Sequence, residues 1–189
     1  MLRRDLMIGA AASLGLLATG CTTTPNAPSD PADKRRQLDV SSTEALARLY
    51  SNAHGSRELV GKARGVLVFP SVIAAGLGVG GEYGEGELRI GGAPIAYYST
   101  ASGSFGLQIG AQSKAVFFLF MTQDALDRFR AGNGWTAGAD ASVAVLKMGA
   151  NGDVDLQTAQ APVVGFVVTN AGLMANATIE GTKVSRLNI

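Results

Sequence analysis

The stretch from Leu67 to Gly86, LVFPSVIAAGLGVGGEYGEG, constrains this chain more than any other, because an apolar run meets Pro70 and then gives way to densely spaced glycine. Two kinds of structure carry such a stretch. A glycine-rich turn between a strand and a helix offers backbone N–H groups to phosphate, whereas glycine inside a sheet removes side chains where the sheet bends or another backbone comes close. Gly76-Leu77-Gly78-Val79-Gly80-Gly81 does contain G-x-G-x-x-G. The dinucleotide fingerprint also needs a helix directly after it and an acidic residue about twenty positions on. The chain instead continues strand-like through Glu82-Tyr83-Gly84-Glu85-Gly86, and Ser99 to Ser104 carries no acid. No G-x-x-x-x-G-K-[ST] occurs either. The run is read as a bend in a sheet, with Tyr83 packing or hydrogen-bonding beside the glycines, and no nucleotide is expected.

The remaining chain favours strands. Its 25 glycines against six prolines, and a 47% hydrophobic content, suit a single strand-rich domain with a proper core. Val66 to Phe69 reads as a short strand closed by Pro70, and Phe105 to Gln112 alternates apolar residues with glycine or glutamine. Ala115 to Met121 is a continuous apolar run, as in a strand covered on both faces, and a helix starting at Thr122 or Gln123 carries Leu126, Arg128, Phe129 and Arg130. Ala141 to Met148 and Val154 to Thr158 flank Asn151-Gly152, a hairpin signal. Val163 to Thr169 is a further apolar strand, and Leu173 to Ile179 meets Thr182 to Leu187 at Glu180-Gly181, a second hairpin candidate. The expected fold is α+β and β-rich: a small antiparallel β-barrel or strongly curved sheet with about three helices packed outside.

Residues 1–20 do not belong to that fold. Arg3 and Arg4 precede an uncharged apolar segment from Met7 to Ala18, and small residues lead to Cys21, the single cysteine. This resembles a bacterial lipoprotein signal, which implies cleavage before Cys21 and acylation of its thiol. A plain secretory signal with an incidental cysteine is the other reading, and Arg3-Arg4 leaves the general and twin-arginine export routes both open. With Cys21 lipidated no thiol remains for a disulfide, a nucleophile or a metal. Residues 21–33, rich in Pro, Thr, Ala and Asp, read as a flexible tether, and residues 34–189 as the domain. Thr22 stands where an aspartate is associated with inner-membrane retention, so the expected location is the bacterial envelope, lipid-anchored at the outer membrane.

Charge is uneven along the domain. Ser41 with Glu44 forms a capping-box signature before a helix from about Ser42 to His54, which Gly55 ends, and Ser56 opens a shorter helix through Lys62. Between Lys34 and Arg64 seven basic residues (Lys34, Arg35, Arg36, Arg48, Arg57, Lys62, Arg64) face only Asp39, Glu44 and Glu58. A basic amphipathic segment suits an anionic lipid surface, and it equally suits a solvated helix face. Nucleic acid is a poor match, because beyond residue 20 the 14 basic residues are balanced by 14 acidic ones.

Catalytic signatures are missing from the sequence. It has no G-x-S-x-G elbow, and His54 is its single histidine, without a cysteine or serine motif beside it. Glu82, Glu85 and Glu87 read as a solvated acidic strand edge, and Asp140 as a turn acceptor at the entry to a strand. No enzyme, metal or cofactor is expected.

Phe69-Pro70, the Gly80 to Gly86 run, Gly110-Ala111-Gln112, GADASVAV at Gly138 to Val145, and Gly172-Leu173 leading to Glu180-Gly181 together resemble the SYLF domain family. These motifs span about Ser41 to Leu187. The resemblance implies a binding module with a small β-barrel core and surface helices. Eukaryotic members bind phosphoinositide membranes through an N-terminal amphipathic helix and basic residues, some also binding actin, a contact with no evident partner in a bacterial envelope. Arg35, Arg36, Arg48, Arg57, Lys62 and Arg64 are accordingly the candidate contacts to anionic phospholipid or phosphoinositide headgroups. The second reading is a structural or interaction protein that meets envelope partners through its sheet surface and a loop at Trp135, without a specific lipid ligand. A third, an enzyme using the Glu82 or Asp140 carboxylate, has the least to support it.

Overall fold

The computed structural model describes residues 30–106, 112–132, 134–146, 160–169, 172–173 and 179–189. Three helices and eight strands are defined among them: α1 (Pro31–Asn52), α2 (Ser56–Lys62), β1 (Gly65–Ile90), β2 (Ala93–Gly106), β3 (Gln112–Phe120), α3 (Gln123–Ala131), β4 (Gly134–Thr136), β5 (Val143–Val145), β6 (Val163–Thr169), β7 (Gly172–Leu173) and β8 (Lys183–Leu187). The strands form one sheet in the order β4-β8-β2-β1-β3-β6-β5, with β7 paired to β6. The sheet is strongly curled into a half-barrel, as the sequence implied. Its described pairings are antiparallel except β5 on β6, which run parallel.

β1 organises the sheet. A straight strand of 26 residues would reach about 85 Å, far more than a domain of this size spans, so β1 has to turn on itself. Its first part, Gly65 to Ala74, pairs with β3, and its second, Gly78 to Ile90, pairs with β2. Where the two parts meet, glycine permits the contact. A Cβ on Gly84 would stand 2.8 Å from the Ser71 carbonyl oxygen, and one on Gly86 would overlap the Val68 carbonyl. Residue 84 thus faces 71 and 72 while 86 faces 68 and 69, which makes the halves antiparallel about the middle of the glycine-rich run. Gly76 to Gly81 lies wholly within this strand, and β2, not a helix, comes next.

Pro70 does not close the strand. It falls at an irregularity between Phe69 and Val72, where the ladder with β3 skips, so the missing N–H of proline costs no ladder bond. The α3 helix and β6 match their sequences closely. Thr122 caps α3, its hydroxyl accepting from Ala125 N–H at 3.3 Å, and β6 occupies Val163 to Thr169. Residues 107–111, the Asn151-Gly152 hairpin signal and residues 174–178 lie outside the described residues.

The sheet carries a packed layer on each face. On one, Leu67, Phe69, Leu88, Val116, Phe118, Phe120 and Val167 meet Leu126 and Phe129 of α3. On the other, Val66, Val68, Phe117, Leu119, Val164 and Phe166 meet Ala45, Leu46 and Leu49 of α1 and Leu59 of α2. Alternate residues of β3 go to opposite faces and all of Ala115 to Phe120 is buried, which is why that run shows no polar alternation.

Trp135 belongs to the first layer. It is 5% exposed, with ring centroids of Phe118 at 5.3 Å and Phe129 at 5.7 Å in edge-to-face arrangement. The expectation that a Trp135 loop faces a partner is therefore overturned: a residue in β4 with its ring inside an aromatic cluster has no surface to offer.

Candidate functional site

α1 starts well before the expected residue. Asp30 is its N-cap, accepting from Ala32 N–H at 2.9 Å, and Pro31 takes the first helical position, where a missing N–H is harmless. The Ser41 and Glu44 signature thus falls mid-helix, and residues 31–33 of the supposed tether form the first turn. Gly55, at φ +84°, separates α1 from α2, and Ser56 donates to the Leu49 carbonyl at 3.3 Å. Cys21 and the segment before it lie outside the described residues.

The six candidate cations do not converge. Arg35 and Arg48 stand about 20 Å apart along α1 at 1.5 Å per residue, while Arg57, Lys62 and Arg64 come later, in α2 and at the entry to β1. Arg36 pairs with Asp33 on its own helix, and Lys62 with Glu58 at 2.6 Å. Both are exposed pairs of the kind that contribute little to stability. The Arg57 guanidinium lies 4.2 Å from the Tyr50 ring centroid, and Arg48 reaches the Pro70 carbonyl at 3.4 Å. Among the described residues Arg35, Arg48, Arg57 and Arg64 have no carboxylate partner, and Arg36, Arg48, Arg57, Lys62 and Arg64 are exposed with Arg35 half-buried. The arrangement is a strip of separate positive charges along the α1–α2 edge, suited to a charged surface more than to a single enclosed ligand.

The apolar stripe of α1 is already occupied. Ala45, Leu46 and Leu49 are buried against the sheet, as is Ala53 just past the helix end, so in this packing the helix offers an outside surface its polar side with Val40 as its one large exposed apolar residue among those described. No helix of the described residues is long and apolar enough to cross a membrane.

Between the N-terminal half of α1 and the sheet runs a polar seam that sequence reasoning missed. Lys34 pairs with Glu85 at 2.8 Å; Tyr97 donates to Asp39 Oδ1 at 2.9 Å; Arg89 donates to the Asp39 carbonyl at 2.8 Å and to Thr43 Oγ1 at 2.9 Å. Arg89 also pairs with Glu87, whose side chain is fully buried and whose Oε2 has no hydrogen-bond partner among the described residues. Burial, together with the nearby Asp39 carboxylate, pushes the Glu87 carboxyl up to about 7 against the pull of Arg89. Burial and Asp39 likewise push Tyr97 up to about 12.

These glutamates are not the solvated edge the sequence suggested. β1 is a central strand with β2 on one side and β3 on the other, so its charged residues are covered: Glu85 and Glu87 by α1, and Glu82 by Lys114 at 2.8 Å. The available signal was Glu87 and Arg89 at i and i+2, opposite charges on one strand face next to buried Leu88. Asp140 does act as a turn acceptor, taking the Thr136 N–H on Oδ2 at 2.6 Å. Tyr83 hydrogen-bonds Glu85 at 3.0 Å. Among the described residues no group of His, Cys, Asp and Glu is placed to hold a metal ion.

The fold and the charged strip define a class: a curled β-sheet domain covered by helices on both faces, with four cations along the α1–α2 edge that have no carboxylate partner among the described residues. Residues 101–188 match the family model described as Ysc84, Las17-binding protein actin regulator, which bears out the SYLF-family resemblance. Phe69-Pro70 and the Gly80 to Gly86 run lie before the matched residues. No curated protein matches the chain.

Proposed function

We propose that this protein is a non-enzymatic, lipid-anchored component of the bacterial envelope whose SYLF-type domain binds anionic phospholipid or phosphoinositide headgroups. Cys21 supplies the anchor, and Arg35, Arg36, Arg48, Arg57, Lys62 and Arg64 meet phosphates. The observation that carries this reading is the surplus of four positive charges between Lys34 and Arg64. At about 1 kcal/mol per cation near an anionic surface, four of them amount to roughly 4 kcal/mol, equivalent to millimolar affinity. That is weak alone and effective beside an acyl chain, because the anchor makes the second contact intramolecular. Arginine suits bidentate phosphate pairing, lysine diffuse attraction. No nucleotide, nucleic acid, metal or cofactor takes part.

Vesicle co-sedimentation of the chain lacking residues 1–29 tests this, since that truncation removes the apolar segment and keeps the Asp30 cap. Binding to phosphatidylcholine vesicles should rise when phosphatidylglycerol is included and fall as salt is added. Retention indifferent to both excludes the reading.

A second reading has one observation in its favour, namely that the matching family model is described by protein binding. On that reading the domain contacts envelope proteins without a specific lipid ligand. Crosslinking in intact envelopes discriminates the two: recovery of one protein partner independent of anionic lipid favours it, and recovery of none removes it.

A further inference from the structure

A cleft of about 230 Å³ opens where β2, β8 and the end of α3 meet, lined by Ile95, Ala96, Tyr98, Arg130, Ala131 and Arg186. Three elements build it. Tyr98 on β2 stands directly opposite Arg186 on β8, so their side chains share a face, and Arg130 comes from the last turn of α3. The Tyr98 ring is fixed by Phe129, 4.9 Å away, and that contact sets where the α3 terminus lies over the sheet.

The cleft is electropositive without an internal counter-charge. Among the described residues neither Arg130 nor Arg186 pairs with a carboxylate; of the two acids on α3, Asp124 pairs with Arg128 at 3.0 Å and Asp127 accepts from Gln123 at 2.8 Å. Tyr98 is 6% exposed, and its hydroxyl makes no hydrogen bond to a described residue yet is not sealed from solvent. Burial pushes that hydroxyl up while Arg186 and Arg130 pull it down, so both guanidiniums act on it. The carbonyl end of α3 contributes about half a negative charge at most, which leaves two full positive charges in clear excess.

We propose that this cleft is an oxyanion site that takes a phosphate-type group between Arg130 and Arg186, with the Tyr98 hydroxyl donating to it. Size sets the ligand class, because 230 Å³ is below the roughly 300–1,000 Å³ of pockets for drug-sized molecules and admits a single small headgroup. Guanidinium geometry sets the chemistry, since two planar forks and one hydroxyl donor match a phosphate monoester's acceptors. The site uses none of the lipid contacts proposed along α1 and α2 and does not depend on them.

Two probes distinguish a diffusible phosphate from a lipid headgroup, both applied to the full chain carrying Cys21→Ser so that no acyl group is attached. Inorganic phosphate is titrated while amide shifts are followed by NMR, and phosphatidylcholine vesicles are compared with the same vesicles containing phosphatidic acid. A saturable shift at Ala96, Ala131 and Arg186 that weakens about tenfold or more in Arg130→Gln/Arg186→Gln supports the site with free phosphate as ligand. Added retention by phosphatidic acid that the same double variant loses supports it with a lipid headgroup. Charge reversal at Arg35, Arg48, Arg57 and Arg64 should alter neither the phosphate shifts nor their midpoint. Tyr98→Phe, which keeps the ring on Phe129, should give a smaller loss. If wild type and double variant behave alike toward both probes while sharing one unfolding midpoint, the proposal is overturned.

Discussion

Gly86 lies against the Val68 carbonyl so closely that no side chain fits between the two halves of β1. That contact is where the two halves of β1 press together, and it explains why the chain uses glycine here. Gly86→Ala should cost at least about 2 kcal/mol, because the new Cβ meets backbone that cannot move without displacing Phe69. Gly103→Ala, with nothing within 4 Å of its Cβ position, should change stability by less than about 0.5 kcal/mol. Urea midpoints of the two variants check this; equal midpoints would show that the bend does not need glycine.

Glu87 makes stability depend on pH in an unusual direction. Its carboxyl titrates near 7 when folded and near the ordinary 4.5 when unfolded, so the folded state holds the extra proton between those values. The stabilisation is full below about pH 4.5 and is lost as pH rises through 7. Wild type should therefore lose about 1–3 kcal/mol relative to Glu87→Gln between pH 5 and pH 8. Parallel pH profiles for the two proteins would contradict the burial of this carboxyl.

The start of α1 gives a third expectation. Asp30→Ala should destabilise by about 1 kcal/mol, through loss of the bond to Ala32 N–H. Ser41→Ala, mid-helix, should cost less than about 0.5 kcal/mol. Thermal unfolding reads both, and the reverse order would place the helix start at Ser41.

Much of the fold was legible because packing and local pattern agreed. β3, α3 and β6 each carry an unbroken apolar run or a capped amphipathic turn, and the glycine run was read as close backbone approach, as Gly84 and Gly86 show. The failures have a common cause. Pro70, the Ser41–Glu44 signature and the β1 glutamates were each judged from neighbours in sequence, while their roles are set by residues far along the chain: a ladder skip opposite β3, a cap at Asp30, and α1 lying over Glu85 and Glu87. Trp135 reads as part of a loop in sequence, although Phe118, Phe120 and Phe129 draw its ring inward. Of the site, the sequence showed which cations are present but not that Arg36 and Lys62 already have partners.

That distinction sharpens the test of lipid binding. Arg35, Arg48, Arg57 and Arg64 are free of carboxylates among the described residues and should carry most of the attraction. Replacing all four with glutamate in the chain lacking residues 1–29, and measuring co-sedimentation with vesicles of phosphatidylcholine and phosphatidylglycerol, addresses the central claim directly. The account predicts that binding drops at least about a hundredfold while the unfolding midpoint stays close to the parent's. Undiminished binding by the folded variant would contradict it.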